Sequence, residues 1–156
     1  MKNEKSYTVA EATKLMENFC AYQERCHKEV EQKLYDLNMI PLAREKIILH
    51  LLQHNFLNEE RFSKSFARGK FSIKKWGRIK IVNELKFRNI SPYNIKSALK
   101  EIDEDNYVKT LQKIAEKKWP LIKESNAFKK RSKLLTYLSS KGYESELIYE
   151  AVKGLI

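Results

Sequence analysis

With 156 residues, 42% hydrophobic and 33% charged, the chain suffices for one ordinary core or a few small stacked units, and is neither disordered nor membrane-spanning. Its 4 Gly and 3 Pro are too few for the turns of many short strands, which argues against a β-sandwich or barrel and for an all-α protein. Lys plus Arg number 31 against 20 Asp plus Glu, a formal net charge of +11.

The opening Met1-Lys2-Asn3-Glu4-Lys5 leads into polar sequence without an apolar h-region, so no signal peptide is expected. Thr8-Val9-Ala10-Glu11 has the form of a capping box and predicts a helix to about residue 23. Further helices are expected over about 26–37 and 41–54. Cys20 and Cys26 cannot make a disulfide framework and read as small buried thiols, which suits a reducing cytoplasm. His50 and His54 have metal spacing, but no Glu follows His50 as in the zinc-protease motif. Cys20, Cys26 and His27 match no usual zinc pattern, so no metal or other cofactor is expected.

Asn58 or Glu59 opens the next helix, through Phe62 and Phe66 to about residue 68. Gly69-Lys70-Phe71-Ser72 reads as a loop, with Phe71 the aromatic best placed for exposure. A helix over 74–88 ends at Asn89, its buried side formed by Trp76, Ile79, Ile81, Val82 and Leu85. Ser91-Pro92 is an N-cap followed by proline and starts a helix ending near Ile102. The remaining expected helices cover about 105–118, 126–140 and 145–154, with a loop at Trp119-Pro120.

Three segments superpose when anchored on Leu34, Leu85 and Leu138, which are 51 and then 53 residues apart. Four residues past each anchor stand Asn38, Asn89 and Gly142, types that tolerate a left-handed helix end. Apolar Met39, Ile90 and Tyr143 follow, then Pro41, Pro92 and Ser145 in first-turn positions. Ile47/Ala98/Ala151, Ile48/Leu99/Val152 and Leu51/Ile102/Leu155 align as one helix face. The expectation is three tandem three-helix repeats, over 1–57, 58–103 and 104–156, stacked into an elongated curved array.

The charge is concentrated in the middle. Residues 61–100 carry Arg61, Lys64, Arg68, Lys70, Lys74, Lys75, Arg78, Lys80, Lys86, Arg88, Lys96 and Lys100 against one acid, Glu84. A second basic cluster contains Lys117, Lys118, Lys123, Lys129, Lys130, Arg131 and Lys133, with Glu124 against it. Proteins ordinarily mix charges to avoid self-repulsion, so such an imbalance implies a polyanionic partner, nucleic acid being the commonest. One acid in the middle stretch gives no carboxylate pair for metal-assisted nuclease chemistry, and the chain has no glycine-rich phosphate loop or nucleophile elbow. A binding protein is expected rather than an enzyme.

The segment Arg61-Phe62-(x)3-Phe66-Ala67-Arg68-Gly69-Lys70, followed by Lys75-Trp76-Gly77-Arg78-Ile79-Lys80-Ile81-(x)2-Glu84-Leu85-Lys86-Phe87-Arg88-Asn89-Ile90, resembles the RecX family, regulators of the bacterial RecA recombinase. Arg88-Asn89-Ile90 stands where the family has Lys-Gly-Ile, and the third repeat has Phe128-Lys129-Lys130-Arg131 where the second has Lys75-Trp76-Gly77-Arg78. The resemblance implies a protein that binds the RecA filament on single-stranded DNA and restrains strand exchange, ATP hydrolysis and coprotease activity in DNA repair and the SOS response; a cytoplasmic monomer is expected. Double-stranded DNA is a further candidate partner, and no membrane is. Arg68, Lys70, Lys74, Lys75, Arg78 and Lys80 are the expected main contact, with Lys64, Lys86 and Arg88 in the same basic stretch. Lys129, Lys130 and Arg131 form a second contact, and Arg61 and Glu84 are expected to be partly structural. The competing reading is a sequence-independent DNA- or RNA-binding helical module without recombinase business.

Overall fold

A computed structural model describes residues 5–155; residues 1–4, on which the expectation of no signal peptide partly rests, and Ile156 lie outside the described residues. The described residues form nine α-helices and no strand: α1 (Val9–Tyr22), α2 (His27–Asp36), α3 (Pro41–Gln53), α4 (Glu59–Ser72), α5 (Arg78–Phe87), α6 (Pro92–Leu99), α7 (Glu104–Lys118), α8 (Ala127–Ser140) and α9 (Ser145–Lys153). A single 3-10 turn, Trp119–Leu121, follows α7. No helix is long and apolar enough to cross a membrane among the described residues.

Local chemistry sets the starts. Glu11 N–H donates to Thr8 Oγ1 at 3.1 Å while the Thr8 N–H donates to the Glu11 carboxylate at 2.9 Å, closing the expected capping box. Asn58, Ser91, Asp103 and Asn126 cap α4, α6, α7 and α8 through their side-chain oxygens. The ends follow the repeat: Asn38, Asn89 and Gly142 all adopt the left-handed conformation, with φ of 62°, 58° and 96°. The anchors Leu34, Leu85 and Leu138 are each fully buried. The chain is therefore an all-α tandem repeat of three-helix units, α1–α3, α4–α6 and α7–α9, and helix packing runs chiefly within each triplet.

The units do not share their interiors equally. Ala12, Met16, Val30, Leu34, Ile47 and Leu51 form a core belonging to the first unit alone. Phe62, Phe71, Ile81, Leu85, Tyr107, Leu111, Leu138 and Tyr143 belong to one continuous core running through the second and third units, to which Cys26 also contributes. Both cysteines are free and buried; burial pushes the Cys20 thiol up and the Cys26 thiol up to about 11.

The expected loop at Gly69-Lys70-Phe71-Ser72 is instead the last turn of α4, and Phe71 is buried rather than exposed. Its ring meets Tyr107 at 5.6 Å between centroids, and that packing outweighs the roughly 1 kcal/mol of helix propensity lost at Gly69. With α4 longer, α5 starts at Arg78, so Trp76 lies in the preceding turn and Ile79 is exposed. His50 and His54 lie one turn apart with rings 4.4 Å apart, and His50 Nε2 meets Glu17 Oε2 at 2.9 Å.

Candidate nucleic-acid interface

The basic residues of the middle stretch divide by type. All four arginines are engaged by carboxylates, mostly on other elements. Arg61 Nε meets Glu24 at 2.6 Å and its other nitrogens reach Asn55 and the Phe56 carbonyl. Arg68 meets Glu101 at 2.5 Å, and Arg88 meets Glu84 at 2.9 Å while lying over the Phe66 ring. Arg78 is the most committed: it pairs with Glu144 at 2.8 Å and with Glu104, and stacks on Tyr107 at 3.9 Å. Burial opposes its charge, but Glu144 and Glu104 more than offset that and hold its pKa above the ordinary arginine value. Planar guanidinium groups suit such forked contacts, and those of Arg61 and Arg78 tie neighbouring units together.

The lysines differ. Lys64 pairs with Glu60 at 3.4 Å, whereas Lys70, Lys74, Lys75, Lys80, Lys86, Lys96 and Lys100 meet no carboxylate among the described residues. Lys70 and Lys80 flank the half-buried Trp76 ring at 4.9 and 4.6 Å, and the Phe66 ring stands edge-on to the indole. Lys74, Lys75 and Lys86 are exposed. The structure thus brings Lys70, Lys74, Lys75 and Lys80 together around the α4–α5 turn and gives Arg78, expected in the same contact, an internal role.

That turn is also a joint. The Gly77 N–H donates to the Lys141 carbonyl at 2.7 Å, and the Ile79 N–H to the Gly142 carbonyl at 2.9 Å. A Cβ on Gly77 would overlap the Gly142 peptide, and one on Gly142 would overlap Lys80. Tyr143 donates its hydroxyl to the Lys75 carbonyl at 2.8 Å. Tyr107 donates to Glu144 at 2.5 Å and accepts from the Arg78 N–H at 2.9 Å. Burial raises both tyrosine hydroxyls far above their usual pKa, Glu144 adding to the effect. Sequence reasoning missed Glu144, Tyr107 and Gly142 as joint residues; pairings across 26 to 68 residues leave no periodic signal.

In the third unit Lys129 is exposed, Lys130 lies over Trp119 at 4.4 Å, and Arg131 lies 5.9 Å from the Tyr149 ring. Lys133 pairs with Glu124 at 3.3 Å. No group of three or more His, Cys, Asp or Glu is placed to hold a metal ion among the described residues.

Residues 58–99 match the family model for the second three-helix domain of RecX, and 104–152 match that for the third. The Regulatory protein RecX of Clostridium beijerinckii is 32% identical over 169 residues, covering 98% of this chain and 75% of its own length. That of Clostridium perfringens (strain 13) is 29% identical over 133 residues, covering 84% of this chain and 62% of its own. Two crystal structures share the fold: one of regulatory protein RecX, with a TM-score of 0.85 at 21% identity over 94% of this chain and 73% of the other, and RecX from Lactobacillus salivarius, with 0.82 at 23% over 94% and 96%.

Proposed function

The chain belongs to the RecX family of regulatory proteins, and on that premise we propose that it restrains a RecA recombinase by binding the RecA–single-stranded DNA filament through its lysine surface. The observation that carries this reading is the split between the two basic residue types. The arginines spend their charge on internal carboxylates, so the excess positive field comes from lysines around the α4–α5 turn. Lys70, Lys74, Lys75 and Lys80 are the main contact, and Lys86, Lys129, Lys130 and Arg131 extend it. Arg61 and Arg78 hold neighbouring units together, while Lys64, Arg68 and Arg88 pair within the second unit.

Ammonium groups of this kind displace counterions from phosphates without reading bases, which suits a partner coated along its length rather than one sequence. Occupying the filament restrains strand exchange, ATP hydrolysis and coprotease activity together. The test is the single-strand-dependent ATPase of the cognate RecA, titrated with this protein far below one copy per RecA. Inhibition at such ratios is expected, and Lys74→Glu with Lys80→Glu should abolish it with helical circular dichroism unchanged. Inhibition only when the DNA itself is covered would instead favour a general nucleic-acid-binding module.

A further inference from the structure

A second basic concavity lies outside the surface just described, where the third unit meets the second. It is a groove of about 520 Å³ with no carboxylate in its lining. One wall is a stripe of α7 in which Asn106, Thr110, Lys113 and Lys117 follow at helical spacing, with Ile114 and Lys118 beside them. The facing wall is the end of α8, where Tyr137 and Lys141 stand four apart, and Lys75 of the second unit closes the rim. Only Lys75 is shared with the α4–α5 surface.

Three observations distinguish this groove from a solvated face. None of its five lysines meets a carboxylate among the described residues. Of the acids of α7, Glu104 holds Arg78 and Glu116 accepts from Gln112 at 3.1 Å, and neither these nor Asp105 lines the groove. Tyr137, half-buried against the core, has the Lys118 Nζ at 4.5 Å and the Lys141 Nζ at 5.7 Å from its ring centroid. Like charges gathered without counter-charges repel, and an anion laid between them relieves that repulsion. The aromatic ring among the lysines, with the exposed Leu121 beside it, provides a platform that an unpaired base can reach and a duplex base cannot.

We propose that this groove binds the phosphate backbone of single-stranded nucleic acid, with a base resting on Tyr137. The inference rests on the filament reading and deepens it by assigning a further share of the DNA contact to the third unit, and it is tested without the recombinase. The probe is a fluorescent oligo-dT of about 20 nucleotides, its anisotropy followed over a range of salt concentrations. Replacing Lys113, Lys117 and Lys141 together by Gln should lower the slope of log K against log salt by about 2, at roughly 0.7 per phosphate contact, and weaken binding about a hundredfold at 0.1 M salt. Tyr137→Leu should weaken binding with the slope unchanged. The matched control, Lys46→Gln, Lys96→Gln and Lys153→Gln, removes the same charge from exposed positions elsewhere and should change affinity by less than about twofold.

Equal losses from the two triple variants would overturn the proposal in favour of a diffuse field. So would tighter binding of a duplex of the same length, or competition by inorganic polyphosphate as effective per phosphate as oligo-dT. Groove variants that bind oligo-dT normally yet still inhibit RecA would refute the groove and leave the filament reading standing. The expected oligo-dT result without any RecA inhibition would do the reverse.

Discussion

Lys75 occupies a backbone conformation that its type disfavours. Among the described residues φ is positive at Asn38, Asn55, Asn89 and Gly142, all suited to it, and at Lys75, with φ of 60°. A left-handed L-residue costs about 1–2 kcal/mol, less for asparagine, whose side chain compensates locally. The bond from Lys75 Nζ to the Ser72 carbonyl at 2.7 Å recovers part of this on an exposed surface. Lys75→Asn is therefore expected to raise unfolding stability by about 0.5 kcal/mol at constant m-value, while shallowing the salt dependence of oligonucleotide binding by one contact, about 0.7. Chemical denaturation and anisotropy read the two effects separately. A loss of stability would mean that the bond to Ser72 outweighs the backbone strain.

At the scale of elements, the α5 start and the turn before α9 meet backbone to backbone, and the glycines around them differ sharply. Gly77 has an ordinary φ of −77°, so alanine there is opposed chiefly by collision with the Gly142 peptide, with a smaller loss of N-cap preference. Gly77→Ala should destabilise the protein by on the order of 2–4 kcal/mol, because backbone rather than a flexible side chain must move. Gly69→Ala is the matching control: a Cβ there meets nothing within 4 Å inside α4, and a gain of about 0.5–1 kcal/mol is expected. Denaturant midpoints check both. This contrast explains what the sequence could and could not disclose. Leu34, Leu85 and Leu138 with their left-handed followers were legible because helix ends and core faces are local, periodic patterns. The length of α4 was not, since Gly69 suggests a break and the reason it does not break, Phe71 against Tyr107, lies 36 residues away. The basic surface was legible as an excess of charge, but a count treats Arg78 and Lys74 alike. Only their surroundings separate the guanidinium locked to Glu104 and Glu144 from the ammonium facing solvent.

At the scale of the molecule, the two junctions are unlike. The second and third units share an apolar core, whereas the first has its own and joins the second largely through polar contacts. Those contacts are Arg61 with Glu24, the His27 N–H with Glu59 at 3.0 Å, and Lys28 Nζ with the Phe87 carbonyl at 2.8 Å. Polar, partly exposed junctions are the weaker kind, so α1–α3 are expected to open as a unit below the free energy of global unfolding. Native-state hydrogen exchange checks this: amides of α1–α3 should share one opening free energy, lower than that of α7. Arg61→Met should lower it further and leave α7 unchanged. Uniform exchange throughout would show a single cooperative body. The other junction has a different consequence. Where Gly77 lies on Gly142, two peptide groups touch, and peptide groups have the same dimensions in every chain. The stride from the second unit to the third is thus metered by bond lengths and not by side-chain volume. Neighbouring lysines can be exchanged, and the spacing between the second and third units stays the same.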